Sequence, residues 1–106
     1  MFTFKGEDLL LRKGNYTNGR IGLMLVTSEG YPYSNVTVNL VDELVTNENC
    51  VFLDTNNAPY IERFILKYKL GTPTGKMGIS GFCTYPEYEL DLNEVEKHLE
   101  ECYEQI

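Results

Sequence analysis

Apolar residues in the first half of the chain come in short blocks. Residues 7–14 are rich in Leu and then basic, and residues 20–27, RIGLMLVT, form a brief apolar run. Both lengths suit strands. Asn18-Gly19 lies between them and signals a hairpin, because both residues tolerate the positive φ of a type I′ turn. A second turn, Ser28 to Tyr33, leads into SNVTVNL, residues 34–40. There Val36, Val38 and Leu40 alternate with Asn35, Thr37 and Asn39. Period two predicts a strand with one buried and one polar face. The three strands predict an antiparallel meander. Residues 41–49 are polar and read as a loop, and Cys50–Leu53 as a short fourth strand.

Beyond residue 55 the period changes. Ile61, Phe64, Ile65 and Tyr68 share one helical face, so the spacing predicts a helix over 58–70. Asn56 or Asn57 would cap it and Pro59 would sit in its first turn. Gly71 and Pro73 would stop it. Thr72 to Ser80, TPTGKMGIS, reads as turn chemistry. Gly81 to Leu90 reads as one or two strands broken near Pro86. Asp91 or Asn93 would cap a last helix, in which Leu92, Val95, Leu99, Cys102 and Ile106 form a seam of nearly four turns. The expected architecture is α+β: a four- to five-stranded, mostly antiparallel sheet, one packed helix, and a C-terminal acidic amphipathic helix. A single domain spans 1–106, with its core in 1–90 and the helix in 91–106. Burial of the seam against a second copy would give a homodimer.

Composition fits one modest core, at 106 residues and 42% hydrophobic. No apolar run approaches the ~20 residues of a membrane span, and no signal peptide is evident. Cys50, Cys83 and Cys102 make an odd set without a CxxC pair, which points to reduced thiols and a cytoplasmic setting. Charge changes the picture more. Residues 1–86 hold eight acids and eight bases, whereas 87–106 hold eight acids against Lys97 alone. The entire net charge of −7 therefore lies in the last stretch. Such asymmetry bears on partners rather than on fold.

The chemical motifs are near-misses. Gly14 to Ile21, GNYTNGRI, has the glycine spacing of a phosphate loop but lacks its Lys and hydroxyl. It also leads into a strand, where a phosphate loop must enter a helix. His98 and Cys102 have an i, i+4 metal-ligand spacing without further ligands nearby. Ser80 sits in an incomplete nucleophile elbow. Arg12, Lys13 and Arg20 flank a hairpin tipped by Tyr16, and the acidic balance opposes a direct nucleic-acid partner. No enzyme, metal or cofactor is expected. The acidic helix is the stronger feature. Glu94, Glu96, Glu100, Glu101 and Glu104 would line its polar side, where like charges at i, i+4 repel. Such a row can occupy an Arg/Lys groove meant for phosphates. Tyr85, Tyr88 and Tyr103 would supply aromatic anchors.

A set of spaced motifs adds a resemblance. Gly14-x-Tyr16-x-Asn18-Gly19-Arg20, Leu23 and Leu25, Gly30-x-Pro32-Tyr33, Thr37-Val38-Asn39-Leu40, Thr74-Gly75 and Ser80-Gly81-Phe82 follow one another in order. Together they resemble a small family of unknown function carried on bacterial phages and conjugative elements. The likeness covers roughly residues 8–90, with the acidic helix expected to lie beyond it. The resemblance implies a small α+β domain on a mobile element, where small acidic proteins are often anti-CRISPR or anti-restriction inhibitors. The expected function is stoichiometric inhibition of a host defence protein, a Cas effector, through the acidic face. The alternative is a binder of a nucleotide signal using Arg12, Lys13, Arg20 and Lys76, or a non-inhibitory accessory protein of the element.

Overall fold

The computed structural model describes residues 2–99. Among the described residues eight strands pair into two antiparallel four-stranded sheets, accompanied by two helices. The α+β class and antiparallel pairing are as expected; the strands belong to two sheets instead of one. Strands β1 (Phe2–Phe4), β2 (Glu7–Asn15), β3 (Ile21–Thr27) and β4 (Pro32–Asn35) form the first sheet in that order. The second is ordered β5-β6-β8-β7, from β5 (Thr37–Val38), β6 (Cys50–Leu53), β7 (Gly71–Ser80) and β8 (Cys83–Leu90).

The run expected as one strand over 34–40 is cut at Val36. Its N–H donates to Leu23 of the first sheet, while its carbonyl accepts from Asp54 N beside the second. The chain therefore changes sheet there. Thr37, on the expected polar face, is buried because its hydroxyl accepts from Leu23 N and bonds the Tyr16 hydroxyl at 2.8 Å.

Turn chemistry also lands differently. The two-residue turn with positive φ at both positions is Lys5-Gly6, joining β1 to β2. Asn18-Gly19 belongs to a three-residue loop in which only Gly19 takes positive φ, with Gly19 N bonded to Tyr16 O and Tyr16 N to Arg20 O. That is a type I turn closed by a glycine bulge, not a type I′ turn.

Helix α1 (Ile61–Lys67) is shorter than the expected 58–70. Neither Asn56 nor Asn57 caps it. The Asp54 carboxylate instead accepts from Asn57 N, and the chain enters the helix through successive turns. The helix ends because Lys69 adopts φ 57, with Lys69 N bonded to Leu66 O and Leu70 N to Ile65 O. This pattern satisfies two of the last carbonyls, and buried Leu70 and Ile65 close it apolarly. Gly71 and Pro73, expected as stop signals, begin β7. The segment 72–80, expected as turns, is an edge strand whose register shifts between Pro73 and Met77. An edge tolerates proline and glycine better than a centre. Strand β8 runs unbroken through Pro86. Its neighbour β6 pairs only as far as Glu87, so the missing N–H at Pro86 interrupts no ladder on that side.

The core lies between the sheets, with Leu9, Leu11, Leu23 and Leu25 facing Val51, Leu53, Tyr88 and Leu90, and with α1 packed in. Period two sends Phe52 to the opposite face of the second sheet, where it joins Leu40 and Tyr85 under the 41–49 loop. The last helix, α2 (Leu92–Lys97), has six residues rather than nearly four turns. Asp91 caps it as expected, accepting from Glu94 N at 3.2 Å. It stops because the chain turns to lie beside β2: Leu11 N donates to His98 O, and Leu99 bridges Leu11. Leu92, Val95 and Leu99 pack on the main core, so this part of the seam is buried within the chain. Cys102 and Ile106 lie outside the described residues. Among the described residues no helix is long and apolar enough to cross a membrane.

Candidate interaction surface

The acids expected to share one helical face are not all found together. Glu94 is half-buried and ion-paired to Lys97 at 2.8 Å, which raises the lysine's pKa. Glu96 is exposed on α2. Exposed Glu89 and Asp91 extend the acidic surface back to the end of β8. Glu100, Glu101, Glu104 and Tyr103 lie outside the described residues. Glu87, first of the acid-rich stretch, is fully buried and accepts from Thr46 N (2.8 Å), Thr46 Oγ1 (2.6 Å) and Thr74 Oγ1 (2.6 Å). Burial alone would raise its pKa, but those donors and Lys76 hold it below its ordinary value.

Tyr88 corrects the expectation of an exposed anchor. Only 3% of it is accessible, because its position on β8 faces the main core. Its hydroxyl donates to Glu62 at 3.2 Å, and burial followed by that carboxylate pushes its pKa up to about 12. Tyr85 is buried on the other face, with its pKa raised by burial and then by Cys83.

The aromatic side chain that does stand out is Phe82, part of the Ser80-Gly81-Phe82 motif but not among the expected anchors. It occupies the β7–β8 turn and is fully exposed. Ile79 and Met77 follow on β7, 61% and 49% exposed, paired with Thr84 and Pro86 across the hairpin. These two are spaced by two and share a face. The 41–44 segment runs alongside and adds exposed Val41 and Leu44. Glu43 Oε2 accepts from Ile79 N at 2.8 Å, Leu44 O accepts from Lys76 Nζ, and Arg20 reaches over to Leu40 O at 2.7 Å and to Glu43 O. Met77 and Ile79 thus face away from the Gly78 side of β7 that the loop covers, Phe82 stands at the turn, and Val41 and Leu44 are exposed on the loop itself. Large apolar groups in a hairpin turn and a Gly-flanked segment were the available sequence signal, masked there by the turn residues.

The cations suggested for a nucleotide do not form one group. Arg20 and Lys76 hold the 40–44 segment. Arg12 donates to Gly30 O at 3.3 Å and, with Lys13, Gly14, Tyr16 and Gly22, borders an open cavity of about 290 Å³ on the first sheet. His98 is half-buried and stacks on Phe2 at 4.3 Å, and burial lowers its pKa. No three metal-ligating side chains cluster among the described residues.

The fold and surface define a small two-sheet α+β protein with a bare apolar end. The chain belongs to the family described as a domain of unknown function, DUF4313, which matches residues 9–106. That match runs through the acidic end, so the last stretch is part of the family and not an addition beyond it. No curated protein and no solved structure matches the chain.

Proposed function

We propose that the protein is a mobile-element anti-defence protein of the anti-CRISPR kind, which binds a Cas effector stoichiometrically and performs no reaction. One observation carries the binding reading: exposed Met77 and Ile79 side by side on β7, with fully exposed Phe82 in the turn that follows. Contiguous exposed apolar surface rimmed by polar residues marks protein–protein contact. An unpaired Phe at a hairpin tip is the sort of aromatic anchor that dominates interface energetics. The charge gives the partner's sign. Glu89, Asp91 and Glu96 lie at the opposite end of the same hairpin, seven steps along β8 from Cys83 to Leu90, about 23 Å at ~3.3 Å per residue. Anchored by its apolar end, the protein would lay its acids along an Arg/Lys groove and exclude nucleic acid from it.

The test is a titration against a panel of purified effector–guide complexes, reading target-DNA binding. One effector should lose target binding linearly up to one equivalent. Ile79→Ser with Phe82→Ser should weaken this by roughly 30-fold, the effect of losing a hot spot of about 2 kcal/mol. Charge reversal of Glu89, Asp91 and Glu96 to Lys should remove the salt-sensitive part. A panel untouched at large excess contradicts the reading.

A further inference from the structure

A second surface has different chemistry. Tyr60, Phe64 and Tyr68 recur at i, i+4 and i+8, so they form one ridge along α1 and its two caps. Arg63 and Lys67, also four apart, form the neighbouring ridge. Strand β1 brings Thr3 and Phe4 against them. Between helix and strand these seven residues line a cavity of about 190 Å³. Its back is closed by buried Phe64, against which Phe2 packs at 4.6 Å.

Aromatic rings are arranged around the opening. Phe4 stacks on Tyr60 with centroids 4.9 Å apart and planes at 24°. Tyr68 packs edge-on against Phe2 at 4.6 Å. Phe4, Tyr60 and Tyr68 are each only half-buried, although the core next to them is closed. Cations surround the rings. Lys5 Nζ lies 5.4 Å from the Phe4 centroid and Lys67 Nζ 5.3 Å from that of Tyr68. Arg63 and Lys67 are exposed, and among the described residues no carboxylate pairs with either. The one acid of α1, Glu62, is engaged by Tyr88. On the strand side Thr3 Oγ1 donates to Asp8 at 3.2 Å, and exposed Glu7 stands opposite Phe4 in the β1–β2 register. Like charges at i, i+4 repel. In a chain of net charge −7, an unneutralised pair beside open aromatic faces marks a place for an anion attached to a flat ring.

We infer that the cavity between β1 and α1 is a nucleotide site, in which the base stacks on the Phe4–Tyr60 pair and the phosphate is held by Arg63 and Lys67. Stacking and cation contact together recognise a base with its phosphate, irrespective of base identity. The same unit can come from a free mononucleotide or from one residue of a single strand. The site is separate from the apolar hairpin end, so its fate is independent of the inhibitor reading.

The experiment records amide chemical shifts of the full chain by NMR during titration with AMP and CMP, and separately with a short single-stranded oligonucleotide. Saturable shifts should centre on Thr3–Phe4 and on 60–68. Arg63→Glu with Lys67→Glu should abolish them without moving Tm, since both side chains are exposed. Tyr60→Leu should weaken them at least tenfold. Comparable affinities for the two probes assign a free nucleotide, and a much tighter oligonucleotide assigns a strand. Absence of shifts with both probes at millimolar concentration overturns the site, as do shifts centred elsewhere or shifts that survive the double charge reversal.

Discussion

Glu87 is the residue on which the second sheet is pinned. A buried carboxylate is tolerated only when its oxygens are satisfied. Here Thr46 from the covering loop and Thr74 from β7 do that together, tying loop and edge strand to β8. Glu87→Gln removes the charge and presents an NH₂ where only acceptors fit. The expected cost is about 1–3 kcal/mol by urea denaturation. The pH dependence has a definite sign. With the folded pKa below its ordinary value of 4.5, the unfolded chain takes up the proton first. The stabilisation is complete above about 4.5 and is lost as pH falls through the folded value. The Gln variant should therefore show a shallower acid limb than the parent. None of this was readable from sequence, where Glu87 is one acid among eight in a polar stretch.

At the element scale, legibility follows period. Cys50–Leu53 emerged with its expected bounds, because four apolar residues between polar segments leave little freedom. β2 and β3 emerged for the same reason. The α1 position was legible from Ile61, Phe64, Ile65 and Tyr68, but its ends were not. A lysine in the left-handed conformation closes it two residues before Gly71, the expected stop, and Leu70 then reaches the core. The β7 strand was hidden by its own glycines. Gly78 shows why they are there: a Cβ would stand 2.6 Å from Leu40 Cδ1 and 2.7 Å from Phe52 Cε1. Close approach of the Leu40 and Phe52 side chains, not turn formation, requires that glycine. Gly78→Ala should cost about 1–3 kcal/mol through overpacking. It should also speed hydrogen exchange at Ile79 N, which is held by Glu43 in that loop. Gly14→Ala, with nothing within 4 Å of its Cβ, is the control and should stay within about 0.5 kcal/mol. The apolar seam of the last helix was the least legible feature, because helical spacing alone does not reveal that Leu99 would leave the helix to pair with β2.

At the scale of the molecule, two sheets enclose one core and leave their unmatched surface at separate places. The second sheet extends beyond α1, and its outer end remains bare with Met77, Ile79 and Phe82. Acids collect at the other end of the same hairpin, whereas cations and open rings collect between β1 and α1. The sequence revealed the charge asymmetry but not this separation, which depends on strand order. Of the aromatic anchors expected at Tyr85, Tyr88 and Tyr103, the fold consumes the first two, and Tyr103 lies outside the described residues. The central claim is that the bare end of the β7–β8 hairpin is where a partner protein docks. Its most direct measurement is hydrogen–deuterium exchange of this protein with and without the effector that it inhibits in the panel titration. The account predicts slowed exchange over residues 76–84 and 41–44, with the first sheet unchanged. Full exchange at the hairpin end in the saturated complex, with protection confined to another surface, would contradict it.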